Sequence, residues 1–184
     1  MNVGAETETD YGDYFMWGST EPNTADECTW ANAPFNGGST SYSADAFNLV
    51  KDTACPNGIL AKAYDAASQI MGGDWRMPTR DELNELARNT TIEWITDYNG
   101  STVNGYKLIG SNGNSIFIPA SGSRSGSSFY GQGSGGCVWG SSLWTKYPEY
   151  AYYLEVYLDE YYDPVASENT LTQRYYGYVV RGVL

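Results

Sequence analysis

Within residues 151–159, AYYLEVYLD, aliphatic side chains alternate with tyrosine and glutamate at a period of two. Successive side chains leave a β-strand on opposite faces, so a period of two separates them. The two faces carry Leu154, Val156 and Leu158 on one side and Tyr153, Glu155 and Tyr157 on the other. This pattern predicts a strand with an aliphatic face against a core, and such a strand requires a sheet and a second layer to cover it.

Two other regions also predict strands. YKLIG and SIFIP flank residues 111–114, which is typical of a β-hairpin. The last ten residues, 175–184, form a β-rich segment, and a terminal strand of this kind is usually docked in a sheet. We expect the first 58 residues to form loops and short strands, one of them at Tyr14–Gly18.

Two helices are predicted between these regions. Residues 59–71 repeat apolar side chains at spacings of three and four, and glycines 72–73 follow them. Thr79 and Glu82 have the spacing of a capping box, which predicts a second helix after Pro78. The sequence therefore predicts a single α+β domain over residues 1–184, with two helices, a mostly antiparallel sheet and long loops.

The composition excludes several classes of function. The chain has no histidine, which excludes a Ser-His-Asp triad, a Cys-His dyad and a histidine metal site. Its 22 acidic and 10 basic residues give a net charge of −12, which argues against nucleic-acid and anionic membrane partners. No apolar run is long enough for membrane insertion. We predict no catalytic residue, no metal ligand and no cofactor. Calcium binding is left as an open alternative, because side chains with oxygen ligands are abundant.

The three cysteines, Cys28, Cys55 and Cys137, have no CxxC spacing. Cys28 and Cys55 either form a disulfide across a loop of about 27 residues or are two small buried side chains. The sequence leaves both interpretations open. Cys137 lies in the Gly/Ser-rich stretch 121–142 and has no neighbouring base, which makes it a poor candidate nucleophile.

Ten of the seventeen tyrosines fall between Tyr147 and Tyr178. Tyrosine gives a large contact area at low entropic cost, and binding surfaces are enriched in it. The density therefore favours an exposed binding surface. The alternative is that these tyrosines pack between strands, since tyrosine is also a good strand former.

Five segments resemble, in order, the signature elements of the Fibrobacter succinogenes major paralogous domain family. They are GGDWRMPTRDELNEL (72–86), IPASGSR (118–124), CVWGSSLW (137–144), AYYLEV (151–156) and YYGYVVRGV (175–183). The resemblance implies a C-type-lectin-like fold of the formylglycine-generating-enzyme type, with Trp75, Arg76, Pro78 and Arg181 as framework residues. Enzymes of that superfamily use cysteine or copper chemistry. This chain lacks a close C-terminal cysteine pair, so we expect no enzymatic activity.

Part of that family consists of the variable proteins of diversity-generating retroelements, in which exposed side chains of a C-terminal segment change on a fixed framework. The chain resembles them because many of the corresponding positions hold tyrosine, cysteine or glycine, which are reachable from a randomised asparagine codon. The resemblance implies a variable, ligand-binding segment over residues 130–184. Its expected binding residues are Cys137, Gly140, Trp144, Tyr147, Tyr150, Tyr153, Tyr157, Tyr175, Tyr176 and Tyr178.

The expected function is recognition of a protein or glycan on a cell surface. The resemblance implies a receptor-binding or adhesin protein of a gut bacterium or its phage, displayed outside the cell or on a virion. One alternative is a carbohydrate-binding surface module assisted by calcium, for which chelator-sensitive sugar binding is the test. Another is a structural surface component in which the tyrosines only pack, so that their truncation would unfold the domain.

Overall fold

The computed structural model describes residues 1–24 and 26–184 and has α+β architecture. Three α-helices are formed by these residues: α1 (Ala44–Ala54), α2 (Ala66–Met71) and α3 (Arg80–Arg88). The strands are β1 (Tyr14–Phe15), β2 (Thr90–Ile95), β3 (Gly105–Gly110), β4 (Ser115–Pro119), β5 (Ser123–Ser125), β6 (Ser128–Tyr130), β7 (Gly136–Leu143), β8 (Tyr150–Leu158), β9 (Pro164–Gln173) and β10 (Tyr178–Val179). The predicted α+β class with mostly antiparallel sheets is confirmed.

Five strands form the central sheet, in the order β1-β10-β7-β8-β9. β7, β8 and β9 are successive antiparallel neighbours, whereas β10 pairs parallel with β7 at Val179 and Val138. The alternating segment is β8, as predicted, and the C-terminal region does return a strand to the sheet. The predicted hairpin is β3–β4, which forms a separate three-stranded sheet with β2.

The central sheet has a hydrophobic core on each face. Leu154 of β8 packs with Leu83 of α3 and with side chains of β3 and β4. Trp139 of β7 and Tyr153 of β8 belong to a second core on the other face, together with Phe47 of α1. The sequence predicted a core on the Leu154 side alone. The second core exists because α1 and the loops around it cover part of the opposite face.

The two predicted helices are found with one change of boundary. In α3 the capping box is present: the Glu82 N–H donates to Thr79 Oγ1 at 3.3 Å, and the Thr79 N–H donates to Glu82 Oε2 at 2.8 Å. The helix predicted over residues 59–71 begins only at α2. Asp65 caps that helix by accepting a hydrogen bond from the Ser68 N–H at 2.8 Å.

Helix α1 was not predicted, because the first 58 residues were expected to hold only loops and short strands. Its buried residues are Phe47 and Ala54, which is too sparse a pattern for a helical period to be read. Ser43 caps the helix by accepting from the Ala46 N–H at 3.2 Å. The strand expected at Tyr14–Gly18 is present as the two residues of β1.

The disulfide interpretation of Cys28 and Cys55 is wrong. Both are free thiols, and both are buried. Cys28 packs beside Met16 and Ala33, whereas Cys55 lies in the larger core with Phe47. The two cysteines belong to different clusters, so the alternative of two small buried side chains is the correct one.

Candidate ligand-binding face

One face of the central sheet carries a glutamate and several tyrosines. Glu155 of β8 stands opposite Cys137 of β7 on one side and Ser167 of β9 on the other. Glu155 and Ser167 are half-buried, so this part of the sheet is open to solvent. We call the surface formed by the following residues the tyrosine face: Cys137, Tyr153, Glu155, Tyr157, Ser167, Tyr176 and Tyr178.

A bulge in β9 determines which residue stands beside Glu155. The pairing of β8 with β9 is irregular just before Glu155, and Asn169 at this point has a φ of 53°. The buried Asn84 of α3 holds the bulge: its Oδ1 accepts from the Asn169 N–H at 2.9 Å, and its Nδ2 donates to Asn169 Oδ1 at 3.0 Å. Helix α3 therefore positions the tyrosine face from the opposite side of the sheet.

Ring contacts connect the tyrosine face to the loop after β9. The ring centroids of Tyr153 and Tyr178 are 4.7 Å apart, and those of Tyr178 and Tyr176 are 6.1 Å apart. Tyr176 stacks on Tyr175 at 4.7 Å, and Tyr175 contacts Trp30 at 5.1 Å. Aromatic pairs at these distances stabilise one another beyond their burial, so the rings are held in one arrangement.

Arg174 fixes the loop that carries Tyr175 and Tyr176. It is fully buried, and its Nε donates to the Pro148 carbonyl at 2.6 Å while its Nη1 donates to the Pro34 carbonyl at 3.1 Å. Five aromatic rings surround the guanidinium, with centroids between 4.7 and 6.0 Å from its carbon. Burial lowers the pKa of Arg174 to about 10, so it stays charged at neutral pH.

The Cys137 thiol and the phenols of Tyr153 and Tyr178 are neutral at pH 7. Burial, reinforced by the charge of Glu155, raises the pKa of the Cys137 thiol to about 12. Burial also raises the pKa of Tyr153 and that of Tyr178. Because the thiolate is the nucleophile in cysteine chemistry, Cys137 is poorly suited to covalent catalysis.

Glu155 accepts one hydrogen bond from the described side chains, from the Tyr153 hydroxyl at 3.3 Å. The tyrosine face also carries the hydroxyls of Ser167 and Tyr157, whose oxygens are 3.5 Å apart. The ion pairs of the described residues lie elsewhere, at Arg76–Glu82, Arg80–Asp81 and Arg88–Glu168. Among the described residues, the face therefore presents a carboxylate without a cationic partner, bonded to the Tyr153 hydroxyl and paired across the strands with Ser167.

The structure does not bring all ten predicted binding residues together. Five of them belong to the tyrosine face, and Tyr175 adjoins it through Tyr176. Trp144, Tyr147 and Tyr150 form a second cluster around the turn between β7 and β8. In it, the ring of Trp144 is 4.7 Å from that of Tyr147 and 6.0 Å from that of Tyr150.

Burial corrects the prediction for four of the ten. Gly140 lies in a bulge of β7, where a Cβ would be 3.1 Å from the Tyr152 carbonyl oxygen, so packing requires a glycine there. Cys137, Tyr153 and Tyr178 are only 8%, 9% and 5% exposed. These three form the floor of the tyrosine face and belong to the same buried core as Trp139.

Sequence reasoning left four exposed aromatic side chains out of the binding set, namely Phe129, Tyr130, Tyr161 and Tyr162. Tyr161 and Tyr162, at the turn between β8 and β9, are 76% and 81% exposed. Asp159 shapes this turn, because its Oδ1 accepts from the backbone N–H groups of Tyr161 and Asp163, each at 2.9 Å. The aspartates that flank these tyrosines, Asp159 and Asp163, were the sequence signal that could have indicated an exposed turn. Glu155 was recognised as facing away from the predicted core but was not chosen.

One cavity of the described residues lies away from the tyrosine face. A cleft of about 690 Å³ opens between α3, the β3–β4 hairpin and the C-terminal residues, and Leu86, Ile116 and Arg181 are among its lining. None of the ten predicted residues lines it. Protein partners are commonly recognised by shallow surfaces with a few aromatic side chains. We therefore place the candidate site on the tyrosine face rather than in the cleft.

Within the described residues, no helix has the length and apolar character needed to cross a membrane. The same residues contain no group of three His, Cys, Asp or Glu side chains arranged to hold a metal ion. No family model, curated protein or solved structure matches this chain.

Proposed function

We propose that this chain is a C-type-lectin-like recognition domain that binds a protein on a cell surface through its tyrosine face. We further propose that it is a variable protein of a diversity-generating retroelement, displayed outside the cell or on a virion. The observation that carries the proposal is the tyrosine face itself, where tyrosines share one face of the sheet with Glu155, a carboxylate in no ion pair of the described residues. A rigid surface of this composition binds with little loss of conformational entropy.

The contacts of the framework residues support the lectin-like resemblance. Arg76 donates to both carboxylate oxygens of Glu82, at 2.6 and 2.7 Å, and exchanges backbone hydrogen bonds with Val183. The Pro78 carbonyl accepts from the Ser141 N–H at 2.8 Å. These contacts join the 72–86 segment to the C-terminus and to β7, which is the role that the resemblance gives to the framework.

The chemistry of the face supports binding rather than catalysis. Its one cysteine, Cys137, is protonated, and the chain offers no histidine to act as a base. The fixed arrangement of Tyr175 and Tyr176 above the buried Arg174 is typical of a preorganised contact surface.

A comparison of two tyrosine variants tests this proposal. Peptide-display selection against the wild-type domain would supply binders, which are then measured on Tyr157→Ala and on Tyr147→Ala. Tyr147 is 44% exposed but lies in the Trp144 cluster, so it is the matched control. We expect Tyr157→Ala to weaken the dominant binders by about tenfold or more, and Tyr147→Ala by about twofold at most.

Equal losses in the two variants, or no loss in Tyr157→Ala, would contradict the proposal. A glycan array read with and without a chelator is the second arm. Sugar binding that the chelator abolishes would favour the calcium-assisted carbohydrate module instead.

A further inference from the structure

We propose that the tyrosine face takes an arginine side chain of a protein partner, with Glu155 as the counter-ion of its guanidinium. This inference rests on the proposed recognition function and names the chemistry that the face selects. The guanidinium would pair with the Glu155 carboxylate and pack its flat surface on neighbouring tyrosine rings. Arginine combines charge, planar hydrogen bonding and stacking in this way, whereas lysine does not.

The first argument is that Glu155 is half-buried and forms no ion pair with a described residue. Glu155 lies on β8, which is paired with β7 on one side and with β9 on the other. Its backbone is therefore held from both sides. The neighbouring carboxylate of Glu168 on β9 is compensated, because Arg88 Nε donates to it at 2.7 Å on the α3 side. A partly desolvated carboxylate gains most from a partner that supplies charge and hydrogen bonds together.

The second argument is that the groups around Glu155 suit a guanidinium. Cys137 and Tyr153 are neutral, so they neither compete for the cation nor repel it. The hydroxyl oxygens of Tyr157 and Ser167, both half-buried, are available to accept further N–H groups. Arginine has five such donors, and one carboxylate satisfies at most two of them in a bidentate pair.

The third argument is the field around the site. The net charge of −12 attracts cationic partners from a distance. The turn at the end of β8 adds Asp159 and Asp163 close to the tyrosine face in sequence. These side chains would raise the rate of encounter, whereas Glu155 would fix the arginine in place.

The test uses the whole domain and the peptide acetyl-Gly-Arg-Gly-amide, followed by NMR titration of the backbone amides. The matched probe replaces arginine with citrulline, which keeps the shape and removes the charge. We expect the arginine peptide to shift the amides of Glu155 and Ser167 and to bind at least about fivefold more tightly than the citrulline peptide. Glu155→Gln should remove that preference.

Glu160→Gln is the control variant, because it changes the net charge equally at an exposed position of the neighbouring turn. It should keep the arginine preference within about twofold. Equal losses in the two variants would overturn the proposal in favour of a general field effect, and equal binding of the two peptides would overturn it outright. The peptide comparison needs no variant, so a Glu155→Gln protein that fails to fold leaves the test decisive.

The arginine–citrulline comparison can fail without contradicting the proposed recognition function. If Tyr157→Ala abolishes binding of selected peptides while arginine and citrulline bind alike, recognition stands and the arginine assignment fails. If neither effect is seen, both fail.

Discussion

Replacement of Glu82 by glutamine tests how the framework holds helix α3. The pKa of Glu82 is about 2, against an ordinary value of 4.5. The main cause is the pair of hydrogen bonds from Arg76, at 2.6 and 2.7 Å, and the hydrogen bonds from Thr79 add to it. That difference corresponds to about 3 kcal/mol of stability at neutral pH. The side chain is 40% exposed, and solvent screening reduces the figure to about 1–2 kcal/mol.

The pH dependence follows from the direction of the shift. Because the folded pKa lies below the unfolded one, the carboxylate stabilises the fold above pH 4.5 and loses this contribution as the pH falls toward 2. Urea unfolding of wild type and Glu82→Gln should therefore differ by about 1–2 kcal/mol at pH 7. The gap should close through that acidic range.

Glu85→Gln is the matched control, since Glu85 is exposed on the same helix and forms none of the ion pairs of the described residues. Its free energy of unfolding should change by less than about 0.5 kcal/mol. A Glu82→Gln deficit that stays constant from pH 7 to the acid limit would refute the reasoning. It would mean that packing, and not the charge, supplies the stability.

Three further predictions concern positions that support the tyrosine face. Gly140→Ala should cost about 1–3 kcal/mol in thermal or urea unfolding, because the added Cβ meets the backbone of β8; an unchanged midpoint would contradict the packing account. Asn84→Ala should cost about 1–3 kcal/mol in the free energy of unfolding and shift the Ser167 amide resonance, because the bulge at Asn169 loses both hydrogen bonds. A loss of stability without that shift would argue against the idea that Asn84 sets the register between β8 and β9. Cys137 should resist iodoacetamide at pH 8 in the folded domain and react after unfolding, and rapid native labelling would contradict its raised pKa.

The parts of the fold that the sequence predicted are those that local interactions determine. Thr79 and Glu82 cap α3 within one turn, and the alternation of β8 follows from the geometry of a single strand. Helix α1 was missed because its single large buried side chain, Phe47, faces Arg174, which lies 127 positions away in sequence. A local sequence pattern does not indicate a contact between residues so far apart in sequence.

The candidate site was predicted by residue type and not by arrangement. The tyrosine density pointed to the central sheet, where Tyr157 is half-buried on β8 and Tyr176 is half-buried on the loop after β9. The burial of Tyr153 and the position of Glu155 depend on the second core and on the bulge at Asn169. Both are properties of strand pairing, and a one-dimensional pattern does not contain them.

The most direct test of the recognition account is the sequence of this gene from several isolates. Diversification of a binding surface predicts that substitutions concentrate at exposed positions of the tyrosine face and its loop, namely Tyr157, Tyr175 and Tyr176. Gly140, Arg174 and Glu82 should remain constant, because the fold depends on them. Substitutions spread evenly over the surface, or invariant tyrosines beside a varying framework, would contradict the account.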